Sequence, residues 1–352
     1  MKHAPKIIIR CDAGRSTGFG HVVRCLALAT RLKTDAGVQA LFAMQRDDIG
    51  NQFVRGHGFS VTTFDSEHVT EQSEDDWLAR VLLDNEAECL VLDVRTQLSK
   101  AMLLSVRSKG LFVVTIDDLS DRSAAVDQIY LPPIPQVKRL TWDGFTGERF
   151  VGWDWILMPE RIVAHRARAE LLQEPEVLRL VVTMGGSDPA ELTLRVVEIL
   201  KTISIRVEIA VLIGPAYRSV NKLESLSQTM PWPTKIFMNP HNFLEILGSA
   251  SLVIGSFGAT AYEVAALGVP SVYLCLSADH AESASALQDA GCAISLGIHD
   301  EIKNSEIRDA IVSLLESCEN RQNMRTHSLH KVDGKGCQRI SHNILSALHI
   351  NF

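Results

Sequence analysis

Short, wholly apolar runs that end in small-residue loops and lead into helical patterns constrain this chain more than any other feature. Lys6–Cys11 is a β-branched run ending in the loop Asp12-Ala13-Gly14-Arg15-Ser16-Thr17-Gly18-Phe19-Gly20. Val22, Val23, Leu26, Ala27 and Ala29 then fall on one face of a helix. Residues 38–43, Cys89–Asp93 and 111–116 read as further strands. Strands buried on both faces of a parallel sheet are apolar throughout, as Leu90-Val91-Leu92 and Phe112-Val113-Val114 are.

The second half repeats this grammar. Residues 178–184 read as a strand, and Gly185-Gly186-Ser187-Asp188-Pro189 opens a helix running to about Ile203. Strands follow at 206–213, 252–255 and 270–276, and helices at 259–267 and 280–290, closed by Gly268 and Gly291. Strands alternating with helices in both halves indicate two doubly wound, Rossmann-like α/β domains. The length of 352 residues fits two domains of roughly 150–200 residues each. Pro132-Pro133-Ile134-Pro135 breaks the first pattern, and a loop-rich stretch with Trp142, Trp153 and Trp155 follows. The expected division is 1–155 and 175–352, with 156–174 as linker.

Composition narrows the function classes. Hydrophobic residues make up 46%, a globular balance, and no apolar run approaches the ~20 residues of a membrane span. Met1-Lys2-His3-Ala4-Pro5 leads into the first strand without a secretory segment, so a cytoplasmic protein is expected. A net charge of −7 without a basic block weighs against nucleic-acid binding. Seven cysteines, Cys11, Cys25, Cys89, Cys275, Cys292, Cys318 and Cys337, are scattered without a paired motif and read as reduced thiols.

In open α/β sheets ligands sit beyond the carboxyl ends of the strands, so the loops there are the candidate sites. His21 follows Gly18 and Gly20 in the first turn of a helix, where the positive end of the dipole disfavours imidazolium and suits a neutral base; a histidine that merely caps or packs at a helix start is the other reading. Arg24 lies one turn on; Asp12 either orients the imidazole or is a solvated loop carboxylate. Gly185, Gly186, Ser187 and Asp188 offer backbone N–H groups to phosphate at a helix start, without the ending of a P-loop; such a Gly-Gly turn equally serves plain strand–helix packing. Ser256, Gly258, Ala259 and Thr260 suit a diphosphate in the same way. Glu263, three positions after Thr260, has the placement of a ribose-binding carboxylate; the same spacing makes a Thr–Glu capping box, and both readings stand. Asp93 and the pair Asp117-Asp118 lie at strand ends, and no ligand-spaced cluster beside them calls for a metal.

Taken together, these segments resemble a known family. Asp12 with Gly18-Phe19-Gly20-His21-Val22-Val23-Arg24-Cys25 looks like the first loop and helix of the UDP-sugar hydrolase of pseudaminic acid biosynthesis and of the related spore coat polysaccharide proteins. Asp117-Asp118, Gly185-Gly186-Ser187-Asp188-Pro189, residues 255–270 and Val332-Asp333-Gly334-Lys335-Gly336 recur in the same order, so the likeness spans nearly the whole chain. Residues 256–270 are shared more widely with GT-B nucleotide-sugar enzymes.

The resemblance implies GT-B architecture, with the nucleotide held mainly by the C-terminal domain across an interdomain cleft. It implies release of UDP from UDP-2,4-diacetamido-2,4,6-trideoxy-β-L-altropyranose without metal or cofactor, with His21 activating water and inversion at the anomeric carbon. A GT-B glycosyltransferase using the same base on a sugar hydroxyl is the alternative. The implied substrate contacts are Asp12, Gly18, Gly20, Arg24, Asp93, Arg95, Asp117, Asp279 and His280. Three departures fall where substrate would be held: Asp93-Val94-Arg95 stands for Asp-His-Tyr, Asp279-His280 for Asn-Gln, and Leu157-Met158-Pro159-Glu160 for Leu-Arg-Pro-Glu. Asp279 exchanges an amide donor for a negative charge, unfavourable beside phosphate unless a cation such as Arg95 answers it. The expected partner is a UDP-sugar, with neither nucleic acid nor membrane, and the expected state is a monomer.

Overall fold

In the computed structural model, residues 4–14, 17–65, 73–96, 98–170 and 175–350 are described. The chain forms two compact units, one of residues 1–160 and 335–352, the other of residues 161–334.

The first unit runs β1 (Lys6–Cys11), α1 (Gly20–Ala36), β2 (Gln39–Gln45), α2 (Asp48–Gly56), β3 (Ser60–Phe64), α3 (Glu74–Asp84), β4 (Cys89–Asp93), α4 (Lys100–Ser108), β5 (Phe112–Ile116), β6 (Gln128–Leu131) and β7 (Glu148–Val151). The seven described strands pair in parallel in the order β3-β2-β1-β4-β5-β6-β7. Successive strands step outward from β1 to β3, then restart at β4 on the other side. The reversal lies between β1 and β4, where Cys11 is in register with Asp93. A crevice forms at such a point because the two connecting helices leave on opposite faces.

The second unit runs α5 (Arg161–Glu170), β8 (Leu178–Thr183), α6 (Leu192–Leu200), β9 (Val207–Ile213), α7 (Val220–Ser227), β10 (Thr234–Met238), α8 (Phe243–Gly248), β11 (Leu252–Ser256), α9 (Ala259–Ala266), β12 (Ser271–Cys275), α10 (Ala278–Asp289), β13 (Ile294–Ile298), α11 (Asn304–Glu316) and α12 (Cys318–Lys331). Its six described strands are parallel in the order β10-β9-β8-β11-β12-β13, with the reversal between β8 and β11. The doubly wound class read from the sequence is the class observed in both units.

The division differs from the expected one in two ways. The final helix α13 (Gly336–Ala347) belongs to the first unit, because Cys337, Ile340, Ile344 and Leu345 are buried in the same core as Val22, Leu26 and Leu32. Gly336 is pressed against Ile156, whose carbonyl oxygen would stand 2.1 Å from a Cβ at that position. The stretch read as loop and linker also carries β7, which completes the first sheet beside β6, and α5, which opens the second unit.

Among the described residues, no helix is long and apolar enough to cross a membrane.

Candidate functional site

At the switch point of the first unit, the loop after β1 is closed by reciprocal backbone bonds between Gly14 and Gly18, of 3.1 and 2.9 Å. Gly18 has a φ of 73°, a left-handed conformation that costs a glycine nothing. Arg15 and Ser16 of this loop lie outside the described residues. Helix α1 then begins without a side-chain cap, with Gly20 and His21 as its first two residues.

His21 and Arg24 are three residues apart and so share a helix face, which overlies the end of β4. His21 Nδ1 lies 2.6 Å from Asp93 Oδ1. Arg24 grips the same carboxylate with a fork: Nε donates to Oδ2 at 2.5 Å and Nη2 to Oδ1 at 2.6 Å. The Cys25 thiol donates to Oδ2 at 3.5 Å, and Arg24 Nη1 reaches Asp117 Oδ2 at 3.1 Å. Asp93 is 1% exposed. Burial alone would push its carboxyl up, but the Arg24 guanidinium, helped by His21, outweighs this and holds it well below the usual carboxylate range. Burial opposes the charge on Arg24 too, and Asp93 with Asp117 raises it well above the usual value. An ionised carboxylate can only accept, so the short contact places a proton on Nδ1, and in the neutral ring the lone pair is then on Nε2. In that form the imidazole can accept a proton through Nε2.

Asp12 does not orient His21. Its oxygens accept from the wholly buried Arg10, at 2.5 and 2.8 Å, and from the backbone N–H of Gln45 at 2.7 Å. Arg10 turns its other edge to Glu74 at the start of α3, so Asp12 is tied into a buried ionic network. The orienting role falls to Asp93, a residue the sequence offered only as a substrate contact. Asp93 stands 72 positions from His21, and only the neighbouring places of β1 and β4 in the sheet join them. The Asp117-Asp118 pair splits: Asp117 turns to Arg24, whereas Asp118 accepts from Ser120 and pairs with Arg122. Arg95, two residues beyond Asp93, is exposed.

At the switch point of the second unit, the two glycine-bearing loops have different roles. After β8, the helix starts at Leu192 rather than beside the glycines, and both Asp188 oxygens accept from its first turn, Leu192 N and Thr193 N, each at 2.9 Å. Asp188 thus caps that helix, and a phosphate at its start would meet a carboxylate already in place. Gly214 is the glycine that packing needs: a Cβ there would stand 2.4 Å from the Cα of Gly186, whose carbonyl accepts from Ala216 at 3.1 Å. Gly185 is exposed and Ser187 half-buried at the rim of the same turn.

After β11 the arrangement is open. Helix α9 begins at Ala259 behind Gly258, without a side-chain cap, and Ser256, Gly258, Ala259 and Thr260 are half-buried around its start. Thr260 lies inside the helix and is not its N-cap, so the capping-box reading falls. Glu263 is 8% exposed. Burial pushes its carboxyl up to about 7, against the charge of Arg161 and a hydrogen bond from Thr260 that both favour ionisation. A buried carboxyl beside an uncapped helix start is a candidate ligand site. Arg161, the arginine displaced from the Leu-Arg-Pro-Glu pattern, starts α5 and acts on Glu263, a pairing set by the fold and not by sequence spacing. On α10, Ser277 caps the His280 N–H at 3.2 Å, and the exposed Asp279 sits in the first turn, where the helix dipole favours its charge.

These features can be set beside known proteins. Residues 180–340 match the model of the glycosyltransferase family 28 C-terminal domain. Over 278 residues, 76% of its length, the chain is 23% identical to an uncharacterized protein of Methanocaldococcus jannaschii, and the match spans only 55% of that relative. It is 20% identical to the spore coat polysaccharide biosynthesis protein SpsG of Bacillus subtilis, over 95% of this chain and 96% of that one. Among solved structures, MurG of Acinetobacter baumannii superposes with a TM-score of 0.73 at 17% identity, covering 97% of this chain and 99% of that one. At that identity the likeness concerns the fold: two parallel-sheet, Rossmann-like α/β domains of the GT-B kind.

Proposed function

We propose that this chain is a nucleotide-sugar enzyme that displaces the nucleoside diphosphate from the anomeric carbon, with His21 as general base. The observation that carries the reading is the 2.6 Å contact between His21 Nδ1 and buried, ionised Asp93, at the first unit's switch point. A base oriented through one ring nitrogen takes a proton from the attacking hydroxyl through the other, and inversion follows from attack opposite the leaving group. Diphosphate is assigned to the uncapped start of α9, and the ribose hydroxyls to Glu263. No step in this chemistry draws on a metal or an organic cofactor.

Two nucleophiles fit the same base. The match of residues 180–340 to a glycosyltransferase domain favours a sugar hydroxyl, so transfer to an acceptor is the leading reading. The block Gly18–Cys25, with its resemblance to UDP-sugar hydrolases, favours water. Turnover of UDP-linked amino sugars in ¹⁸O-labelled water separates them. UDP release that requires an added acceptor glycan supports transfer. Acceptor-free release with label on the sugar supports hydrolysis. Label in UDP means attack at phosphorus and removes His21 from the assigned place.

A further inference from the structure

We propose that Arg24 is a positioning residue that keeps the proton of the neutral His21 ring on Nδ1, by holding the Asp93 carboxylate in one plane. This rests on the reading of His21 as a base, and it moves Arg24 from the sugar to the base.

Arg24 is turned inward. Its Nε and Nη2 grip the two oxygens of Asp93, and its Nη1 reaches Asp117. With a side chain 17% exposed and all three nitrogens bonded to internal carboxylates, it has little left to offer a sugar hydroxyl. A guanidinium fork defines the plane of a carboxylate as well as its charge, which an ammonium cannot do. Fixing that plane aims Oδ1 at His21 Nδ1. Arg24 Nη2 also lies 3.2 Å from Nδ1. Both atoms are donors when Nδ1 carries the proton, so that approach is tolerable only because Oδ1 receives from both of them.

The carboxylate would behave differently alone. At 1% exposure a carboxyl with no cation beside it favours its protonated form. With one proton taken up from solvent, a protonated Asp93 donates, His21 Nδ1 becomes the acceptor, and the ring carries its proton on Nε2. The imidazole would then present an N–H where the nucleophile needs a lone pair. Arg24 prevents this inversion, and Cys25, one residue on, adds a further donor to Oδ2. Asp117, with a φ of 54°, is the outer anchor that holds the guanidinium in line.

The test reads the ring itself in the full-length chain, by ¹⁵N NMR of histidine-labelled protein, with His21→Gln identifying the resonances. Wild type should show the Nδ1–H form. Arg24→Gln should shift at least half the population to Nε2–H and lower kcat by ~10²–10³, with KM for the sugar nucleotide within about threefold. Arg24→Lys should keep much of the charge effect yet lose the plane, giving an intermediate tautomer ratio. Asp117→Asn, the milder change, should move the ratio in the same direction; it also serves if Arg24→Gln does not fold. An unchanged tautomer in Arg24→Gln overturns the proposal, as does a raised KM with kcat preserved, which would mark Arg24 as a substrate contact. The NMR readout needs no turnover. A tautomer shift in a protein inactive on every nucleotide sugar would sustain Arg24's role and sink the functional reading instead.

Discussion

In the proposed function His21, Asp93 and Glu263 carry the chemistry, and burial and neighbours set the ionisation of the two carboxyls. His21→Gln removes the base without removing a buried partner charge, so kcat should fall by ~10²–10⁴. UDP affinity, assigned to the other unit, should stay within a few-fold by calorimetry; full activity would exclude His21 from the mechanism. Asp93→Asn leaves Arg24 facing a neutral amide and lets the imidazole invert. It should cost both catalysis and about 3–5 kcal/mol of stability, since one member of a buried ion pair is gone. Because the Asp93 carboxyl is depressed in the folded protein, the stability it contributes is present above the ordinary carboxylate range and lost as pH falls through its folded value. Glu263 has the opposite sign. Its carboxyl is raised to about 7 from 4.5, so the unfolded chain ionises first and the ligand-free protein loses stability as pH rises through that window. Glu263→Gln should therefore stabilise the ligand-free protein at pH 8 by up to about 3 kcal/mol, do little at pH 4, and weaken UDP binding. Urea unfolding at the two pH values checks the first part. Equal effects at both would mean that Glu263 is not a strained carboxyl.

At the scale of elements, what was legible followed burial. β1 and β4 have the ends read from the sequence, because both are apolar runs flanked by polar loops and buried along nearly their whole length. β3, β7 and β10 were missed because they are half-exposed strands at or near sheet edges, with threonines or charges in place of an apolar run. β6 escaped for a different reason. It is buried but begins with Gln128, whose side chain bonds Tyr130 and Glu148, and it lies just before the proline cluster. The candidate site was half legible. Loop glycines and His21 are local signals, but the bond from His21 to Asp93 depends on strand order, and Asp188 as a cap depends on a helix starting at Leu192. The misplaced α13 carries the clearest test at this scale. Removing residues 335–352 would strip Ile340, Ile344 and Leu345 from the core of the first unit. At ~1.5–3 kcal/mol for each buried aliphatic side chain, that loss is comparable with a typical domain's whole stability of ~5–15 kcal/mol. Limited proteolysis of the truncated chain should digest residues 1–160 and spare a fragment near 161–334. The reverse pattern would contradict the division.

On the scale of the whole molecule, the two units have separate cores, and the proposed functions are divided between them: the base in the first, the nucleotide in the second. A ligand stabilises the folded state to which it binds, by RT ln(1 + [L]/Kd), about 2.7 kcal/mol at a hundredfold excess over Kd. Separate cores allow separate transitions, so a single two-state unfolding is not expected. In differential scanning calorimetry, UDP should raise the transition of the unit containing Glu263 and leave the other nearly unmoved. Variants assign the peaks: Gly336→Val, forced against the Ile156 carbonyl, should lower only the transition of the first unit. Gly214→Val, forced against Gly186, should lower only that of the second. If UDP raised the peak that Gly336→Val lowers, the nucleotide would belong with His21, and the assignment of α9 and Glu263 would fall. If both peaks rose together and merged, binding would couple the two units. The His21→Gln variant would then show whether the base takes part, by binding UDP with the same coupling or without it.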